Sequence, residues 1–175
     1  MKIMMKRIIS ATVMNQTGVL NRITGVLSRR RFNIENISVG HTDNDKISRM
    51  TFVVYVDSLE QIEQLTKQLN KQIDVLKVMD ITDEAVITRE LALIRITANN
   101  QNRNEIYTLI APFRANVVDV AKNSICIQVV GTSDKIDALI DLLRQFGIKE
   151  VARTGVTAIR RGNYKPEKVE KFIMK

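Results

Sequence analysis

The first part of the chain alternates between strand-like and helix-like hydrophobic patterns. Residues 8–14 form a short, mostly apolar run that ends in a polar turn, which is typical of a β-strand. Beyond the turn, apolar residues recur at spacings of three and four, as on one face of an amphipathic helix. The arginines at 29–31 favour a helix C-terminus there, because cations interact favourably with that end of the helix dipole. The apolar residues of this face are Val19, Leu20, Ile23, Val26 and Leu27.

The next segment predicts a hairpin, a second helix and a fourth strand. Two β-rich runs, 34–40 and 49–56, flank a polar turn and predict a β-hairpin. Ser58 and Gln61 then form a capping box before a run with helical spacing. A further apolar run at 75–81 predicts a strand. The order of predicted elements is therefore βαββαβ.

The second half of the chain repeats this order after an acidic break at 82–84. Its period of about 80 residues is too long for a solenoid and fits two tandem split βαβ domains. The sequence therefore predicts an α+β protein with two tandem ferredoxin-like βαββαβ domains at 8–82 and 83–162, followed by a basic tail at 163–175. The predicted elements of the second half are a strand at 91–98, a helix at 103–113, strands at 117–121 and 125–131, a helix with Ser133 as its N-cap, and a closing strand at 148–159.

The first strand and first helix are joined by the turn Asn15-Gln16-Thr17-Gly18-Val19-Leu20, a candidate site for a small anionic ligand. The first backbone N–H groups of a helix have no partner inside the helix and carry partial positive charge. Thr17 is a reasonable N-cap, Gly18 lets a ligand approach the main chain, and Asn15 has an amide that both donates and accepts. On the hexapeptide alone, a turn that only connects strand and helix is the commoner interpretation. The corresponding turn at 99–104 lacks glycine, so we expect the two halves to differ in function.

The composition limits catalytic and metal chemistry. Cys126 is the single cysteine, which excludes an intrachain disulfide, and its apolar strand context predicts a buried thiol. His41 is the single histidine, so any catalytic pair with a serine or cysteine would have to use this residue. Asp43 and Asp45 resemble the start of a calcium loop, but the later glycine and glutamate of that motif are missing. We predict no catalytic residue, no metal site and no cofactor in this chain.

Charge and hydropathy bear on partners and location. The formal net charge is +8, but most positive charges are scattered or gathered at the C-terminal end, which is typical of a solvated surface. No apolar run approaches the roughly 18 to 20 residues needed to span a bilayer. The basic start of the chain has no apolar segment of a signal peptide behind it. We expect a cytoplasmic protein that binds neither nucleic acid nor a membrane.

An RRM-like RNA-binding protein is the alternative from another class, because RRM domains share the βαββαβ order and the chain is basic. Residues 49–55 place Arg, Phe and Tyr roughly where the RNP motif of a third strand would have them. However, Phe52 and Tyr55 are three residues apart. On a strand they would face opposite sides and could not form one stacking surface.

Several separated motifs resemble a known family. The βαββαβ order, the Asn-x-x-Gly-Val-Leu turn and Arg31-Phe32-Asn33-Ile34-Glu35 together resemble an ACT domain, a ligand-sensing module of amino-acid metabolism. Three further segments are similar to the regulatory small subunits of acetolactate (acetohydroxyacid) synthase, and the resemblance covers nearly the whole chain. These segments are Ser48-Arg49-Met50-Thr51, Glu150-Val151-Ala152-Arg153-Thr154-Gly155-Val156 and Arg161-Gly162.

The resemblance implies a non-catalytic homodimer that activates a separate catalytic large subunit and confers feedback inhibition by valine or a related branched-chain amino acid. Thiamine diphosphate, FAD and magnesium would then belong to the catalytic partner. The chemistry of the turn fits, because a zwitterionic amino acid needs donors for its carboxylate, acceptors for its ammonium and an apolar surface for its side chain. The implied effector site, shared between two subunits, consists of Asn15, Gly18, Val19 and Leu20 from one and Asn33 and Ile34 from the other.

One position departs from the family pattern. Arg31 stands where family members usually have a glycine after the first helix. We expect this arginine to alter the turn before Asn33, with a consequence for the strength of effector binding. The tail at 163–175 also extends beyond the shared region, and the resemblance assigns it no role.

Overall fold

The computed structural model describes residues 4–162, and the predicted basic tail at 163–175 lies outside the described residues. By their internal contacts the residues fall into two compact units. Of the described residues, the first unit contains 4–87 and 157–162, and the second spans Thr88–Val156. The sequence predicted a domain boundary between residues 82 and 83, and this boundary stays a prediction.

The first unit is an antiparallel four-stranded sheet with two helices on one face. The strands lie in the order β2-β3-β1-β4, so β2 and β4 are the edges. This arrangement confirms the predicted βαββαβ order. The elements are β1 (Met5–Met14), α1 (Val19–Arg29), β2 (Asn33–His41), β3 (Ile47–Val56), α2 (Leu59–Asn70) and β4 (Val75–Asp80).

The core of the first unit lies between the sheet and its helices. Alternate residues of β1 face this core, so Ile9 and Val13 are each 0% exposed. The apolar face of α1 covers them through Ile23 and Leu27, which are also buried. Each fully buried aliphatic side chain of this kind stabilises the fold by about 1.5 to 3 kcal/mol. Packing of α1 on the sheet therefore fixes the position of the turn that precedes it.

The second unit has the same architecture, which confirms the predicted repeat. Its sheet has the order β6-β7-β5-β8, and its helices pack on the buried residues of the central strands. Cys126 is buried in β7, as predicted. The elements are β5 (Val86–Thr97), α3 (Arg103–Ile110), β6 (Asn116–Ala121), β7 (Ser124–Gly131), α4 (Ser133–Leu143) and β8 (Ile148–Arg153).

A partly buried ion-pair network joins three elements of the second unit. Glu90 of β5 is 4% exposed, and its carboxylate accepts hydrogen bonds from Arg153 of β8 at 2.7 and 2.8 Å. Arg153 also donates to Asp137 of α4 at 2.6 Å. These hydrogen bonds raise the pKa of the Arg153 guanidinium by more than its burial lowers it.

The predicted closing strand at 148–159 is wrong as a single element. β8 ends at Arg153, and a separate strand β9 (Thr157–Arg160) belongs to the first unit. Gly155 interrupts them with a φ of 76°, in the left-handed region that glycine adopts without a steric penalty. In the first unit, the Ala158 N–H donates to Thr51 Oγ1 at 3.4 Å, on the sheet face away from the helices.

Two helix ends also differ from prediction. Thr132, rather than Ser133, is the residue before α4, and the Ser133 hydroxyl donates to Glu90 instead of capping the helix. The predicted helix at 103–113 ends at Ile110 and continues as a 3-10 turn, Ala111–Phe113, which contains a proline in its first turn. Among the residues that the structure describes, no helix is long and apolar enough to cross a membrane.

Candidate ligand-binding site

Gly18, rather than Thr17, occupies the N-cap position of α1. Its φ is 85°, in the left-handed region, and no side chain in the described part of the chain caps the helix start. The prediction of Thr17 as N-cap is therefore wrong. A left-handed residue at this position turns the chain from β1 into α1, and only glycine adopts that conformation without steric cost.

The backbone N–H groups at the helix start are partly available to a ligand. The Val19 N–H donates to the Gln16 carbonyl at 3.3 Å, so this donor is already occupied. Within residues 4–162, the N–H groups of Gly18 and Leu20 have no hydrogen-bond acceptor. Two main-chain donors therefore remain at the turn.

Among residues 4–162, the amide oxygen of Asn15 has no hydrogen-bond partner, because the contacts of this side chain all use its nitrogen. Its Nδ2 donates to the Asp45 carbonyl at 2.8 Å and lies 3.3 Å from His41 Nδ1. Because Nδ2 is a donor only, Nδ1 of His41 is the acceptor in this contact. Both hydrogens of the amide nitrogen are used in this way, and Asn15 Oδ1 is left to accept a hydrogen bond from a ligand.

His41 also lies at this turn, in contact with Asn15, and the sequence did not indicate that contact. It ends β2, whereas Asn15 follows β1, and the two strands are not adjacent in the sheet. Only the hairpin between β2 and β3 brings His41 to the turn. No local pattern in the sequence indicates that contact.

Arg22 is a second residue at the turn that the sequence did not indicate. Its Nη2 lies 2.5 Å from Oδ2 of Asp74, and a Cβ added at Gly18 would lie 3.1 Å from its Nη1. The guanidinium is therefore packed directly against the turn. The ion pair joins residues 52 positions apart, and this separation conceals it from any local reading of the sequence.

The two apolar residues of the turn have different environments. Val19 is 2% exposed and belongs to the core, so its side chain cannot reach a ligand. Leu20 is 45% exposed and lies on the solvent side of α1. Of the pair, Leu20 is the one whose side chain is placed to contact an apolar ligand group.

Asn33 and Ile34 lie at the opposite end of the first sheet. Asn33 pairs with Tyr55 on β3, and Tyr55 pairs with Lys6 on β1, nine residues before Asn15. At about 3.3 Å per strand residue, Asn33 and Asn15 are about 30 Å apart along the sheet. The six predicted site residues therefore cannot contact one small ligand within a single chain.

A pocket of about 340 Å³ surrounds the Asn33 end of the sheet. Arg31 and Tyr55 line it with Asn33, and Ile34 is half-buried against the adjacent core. Arg31 has a φ of 56°, the left-handed conformation that a glycine would adopt. Arg31 therefore holds a left-handed conformation here although it is not a glycine, and its effect on the turn and on effector binding stays a prediction.

The structure also bears on the RRM-like alternative and on metal binding. Phe52 is 1% exposed and faces the helices, so it cannot stack on a base as an RRM aromatic does. Across residues 4–162, no three His, Cys, Asp or Glu side chains are grouped closely enough to hold a metal ion.

Comparison with known proteins identifies relatives along almost the full chain. Residues 9–77 match the AHAS small subunit-like ACT domain, and residues 89–162 match the family described as small subunit of acetolactate synthase. The chain is 57% identical to the acetolactate synthase small subunit of Bacillus subtilis over 169 residues, which cover 97% of this chain and 98% of the relative. It is 51% identical to a probable acetolactate synthase small subunit of Archaeoglobus fulgidus, over 92% of this chain and the full length of that protein.

A solved structure has the same fold. The acetolactate synthase small subunit of Thermotoga maritima superposes with a TM-score of 0.84 at 33% sequence identity. The match covers 91% of this chain and 99% of the other. The two-unit architecture described above is therefore that of this relative.

Proposed function

The chain belongs to the family of acetolactate synthase small subunits, and from this premise we propose that it is a regulatory subunit that activates a catalytic large subunit and confers feedback inhibition by a branched-chain amino acid. Valine is the first effector to test. The catalytic partner, rather than this chain, would carry thiamine diphosphate, FAD and magnesium. The proposed place of action is the cytoplasm.

The observation that carries the effector proposal is the set of free polar groups at the first turn. Asn15 Oδ1 is an acceptor suited to an ammonium group, and the N–H groups of Gly18 and Leu20 are donors suited to a carboxylate. The Leu20 side chain offers an exposed apolar surface beside them. This combination is complementary to a zwitterionic amino acid with an aliphatic side chain.

The second half of the proposed site, Asn33 and Ile34, requires a second copy of the chain. β2 is an edge strand, with backbone groups available for pairing. If two β2 strands pair antiparallel across a two-fold axis, the start of one strand meets the end of the other. That end is His41, which contacts Asn15. A homodimer of this kind would bring Asn33 of one copy to the turn of its partner.

Reconstitution tests the proposal. The purified chain is mixed with its cognate catalytic subunit, and acetolactate formation is measured with and without valine, leucine and isoleucine. We expect no turnover from this chain alone, a higher rate for the mixture than for the catalytic subunit alone, and inhibition by at least one of the three amino acids. Turnover by the rigorously purified chain, or no change in the partner's rate, would contradict the proposal.

A further inference from the structure

Arg22 presents a partly satisfied guanidinium at the first turn. Its side chain is 47% exposed, and Nη2 donates to Asp74, whose side chain is 11% exposed. Within the described part of the chain, Asp74 is the only hydrogen-bond partner of this guanidinium. The donors on Nη1 therefore remain available, because an arginine has five N–H groups and the contact with Asp74 uses few of them.

Asp74 is itself fixed by the sheet. It immediately precedes β4, and its carbonyl accepts the N–H of Met14 at 2.8 Å, at the end of β1. The carboxylate that holds Arg22 is consequently anchored to the same strand end from which the turn begins. The guanidinium is thus oriented before any ligand binds, so little side-chain entropy would be lost when a ligand engages it.

The absence of a side chain at Gly18 leaves room for the Arg22 guanidinium beside the turn. An added Cβ would lie 3.1 Å from Nη1, closer than an ordinary van der Waals contact. The guanidinium is also linked to the turn through the backbone, since the Arg22 N–H donates to the Gly18 carbonyl at 2.9 Å. A charged donor therefore lies beside the neutral N–H donors of Gly18 and Leu20.

We propose that Arg22 binds the carboxylate of the amino-acid effector through Nη1, while Asp74 holds the guanidinium in place. This inference rests on the proposed function and adds a residue to its effector site. An ionised donor gives a shorter and stronger hydrogen bond to a carboxylate than an amide N–H does. The planar guanidinium has five N–H donors in a rigid fork, so Nη2 can hold Asp74 while Nη1 donates to a second carboxylate.

The test compares L-valine with L-valinamide, which keeps the ammonium and the side chain but has no carboxylate. Binding of each to the full chain is measured by isothermal titration calorimetry for wild type, Arg22→Gln and the double variant Arg22→Gln/Asp74→Asn. The double variant avoids leaving Asp74 without its counter-charge. Arg144→Gln is the matched control, because it removes an arginine from an exposed pair with Asp141 in the second unit.

We expect wild type and Arg144→Gln to prefer valine to valinamide by at least about tenfold. In both Arg22 variants the affinity for valine should fall by at least about tenfold, while that for valinamide stays within about twofold of wild type. Circular dichroism melting confirms that each variant is folded. A merely structural role of Arg22 would weaken both ligands equally.

The outcomes separate this inference from the proposed function. If wild type binds valine and the folded Arg22 variants keep the wild-type preference for valine over valinamide, Arg22 does not bind the carboxylate and the inference is wrong, while the effector site stands. If wild type binds none of valine, leucine and isoleucine, the effector proposal fails and the inference fails with it.

Discussion

Gly18 meets two requirements for a residue without a side chain, a positive φ and room for a neighbouring side chain. Its φ of 85° belongs to the left-handed region, and the space where a Cβ would lie is bordered by Arg22. The sequence predicts that a glycine here gives a ligand close access to the main chain. It does not predict the positive φ, because a glycine is compatible with either sign, and it does not predict Arg22, because that contact depends on Asp74 far along the chain.

Substitution of Gly18 should therefore separate strain from charge. Gly18→Asp and Gly18→Asn introduce side chains of nearly equal size, and both residues tolerate the left-handed region better than most. We expect each to lower the free energy of unfolding by about 1 to 2 kcal/mol, measured by urea denaturation. Only Gly18→Asp adds a carboxylate that competes with the effector for Arg22, so it should weaken valine feedback at least about tenfold more than Gly18→Asn does. Equal loss of feedback in the two variants would show that bulk, rather than charge, blocks the site.

His41 offers a second test at the residue scale. It accepts a hydrogen bond from the Asn15 amide nitrogen and thereby helps to hold this side chain with Oδ1 available to a ligand. His41→Phe keeps a ring of similar size but removes the acceptor. We expect valine affinity to fall by about twofold to tenfold, the equivalent of one neutral hydrogen bond, with unchanged activation of the catalytic subunit. Calorimetry with valine measures the first effect, and unaltered affinity would mean that the Asp45 carbonyl alone orients Asn15.

At the scale of elements, apolar spacing predicts type and order better than it predicts ends. The spacing of Ile23 and Leu27 reports directly on which face of α1 is buried, so the helix is evident from the sequence. The break between β8 and β9 is not, because 148–159 reads as one β-rich run. Its interruption depends on the positive φ of Gly155 and on the bond between Ala158 and Thr51, 107 residues apart. Such long-range contacts have no local signal.

The ion pair between Glu90 and Arg153 joins β5 to β8 and should contribute strongly to the second unit. Arg153→Met keeps the apolar length but removes the two hydrogen bonds that the guanidinium donates to Glu90, whose side chain is 4% exposed. Removing one partner of a fully buried pair costs about 3 to 5 kcal/mol. Because the Arg153 side chain is 33% exposed, we expect a smaller loss of unfolding free energy, about 2 to 3 kcal/mol. The matched control is Arg144→Met, whose pair with Asp141 is exposed on both sides and is worth at most about 1 kcal/mol. Similar urea midpoints for the two variants would contradict this assignment.

At the scale of the whole molecule, the sequence predicts the repeat, but the sequence alone does not define the proposed site. The period of the hydrophobic pattern identifies two copies of one fold. The positions of the site residues could not be predicted in this way. Asn15 and Asn33 lie at opposite ends of the sheet, and only the strand topology reveals this. The family resemblance implies that both residues belong to one effector site. The structure of the single chain shows that any such site must be assembled from two copies.

Complementation between inactive variants tests this assembly. Asn15→Ala and Asn33→Ala each remove a polar group from an exposed position, and both variants should fold normally. In a symmetric dimer, each variant alone has two defective effector sites. A mixed dimer has one site with both defects and one with neither, so an equimolar mixture that exchanges subunits should regain about a quarter of the wild-type valine sites. The stoichiometry of valine binding, determined by calorimetry, measures this recovery.

Mixing Asn15→Ala with Leu20→Ala is the control, since both changes lie on the same turn and every site in their mixed dimer remains defective. No recovery in the first mixture, with subunit exchange verified by mass spectrometry, would mean that Asn15 and Asn33 do not share a ligand across the dimer.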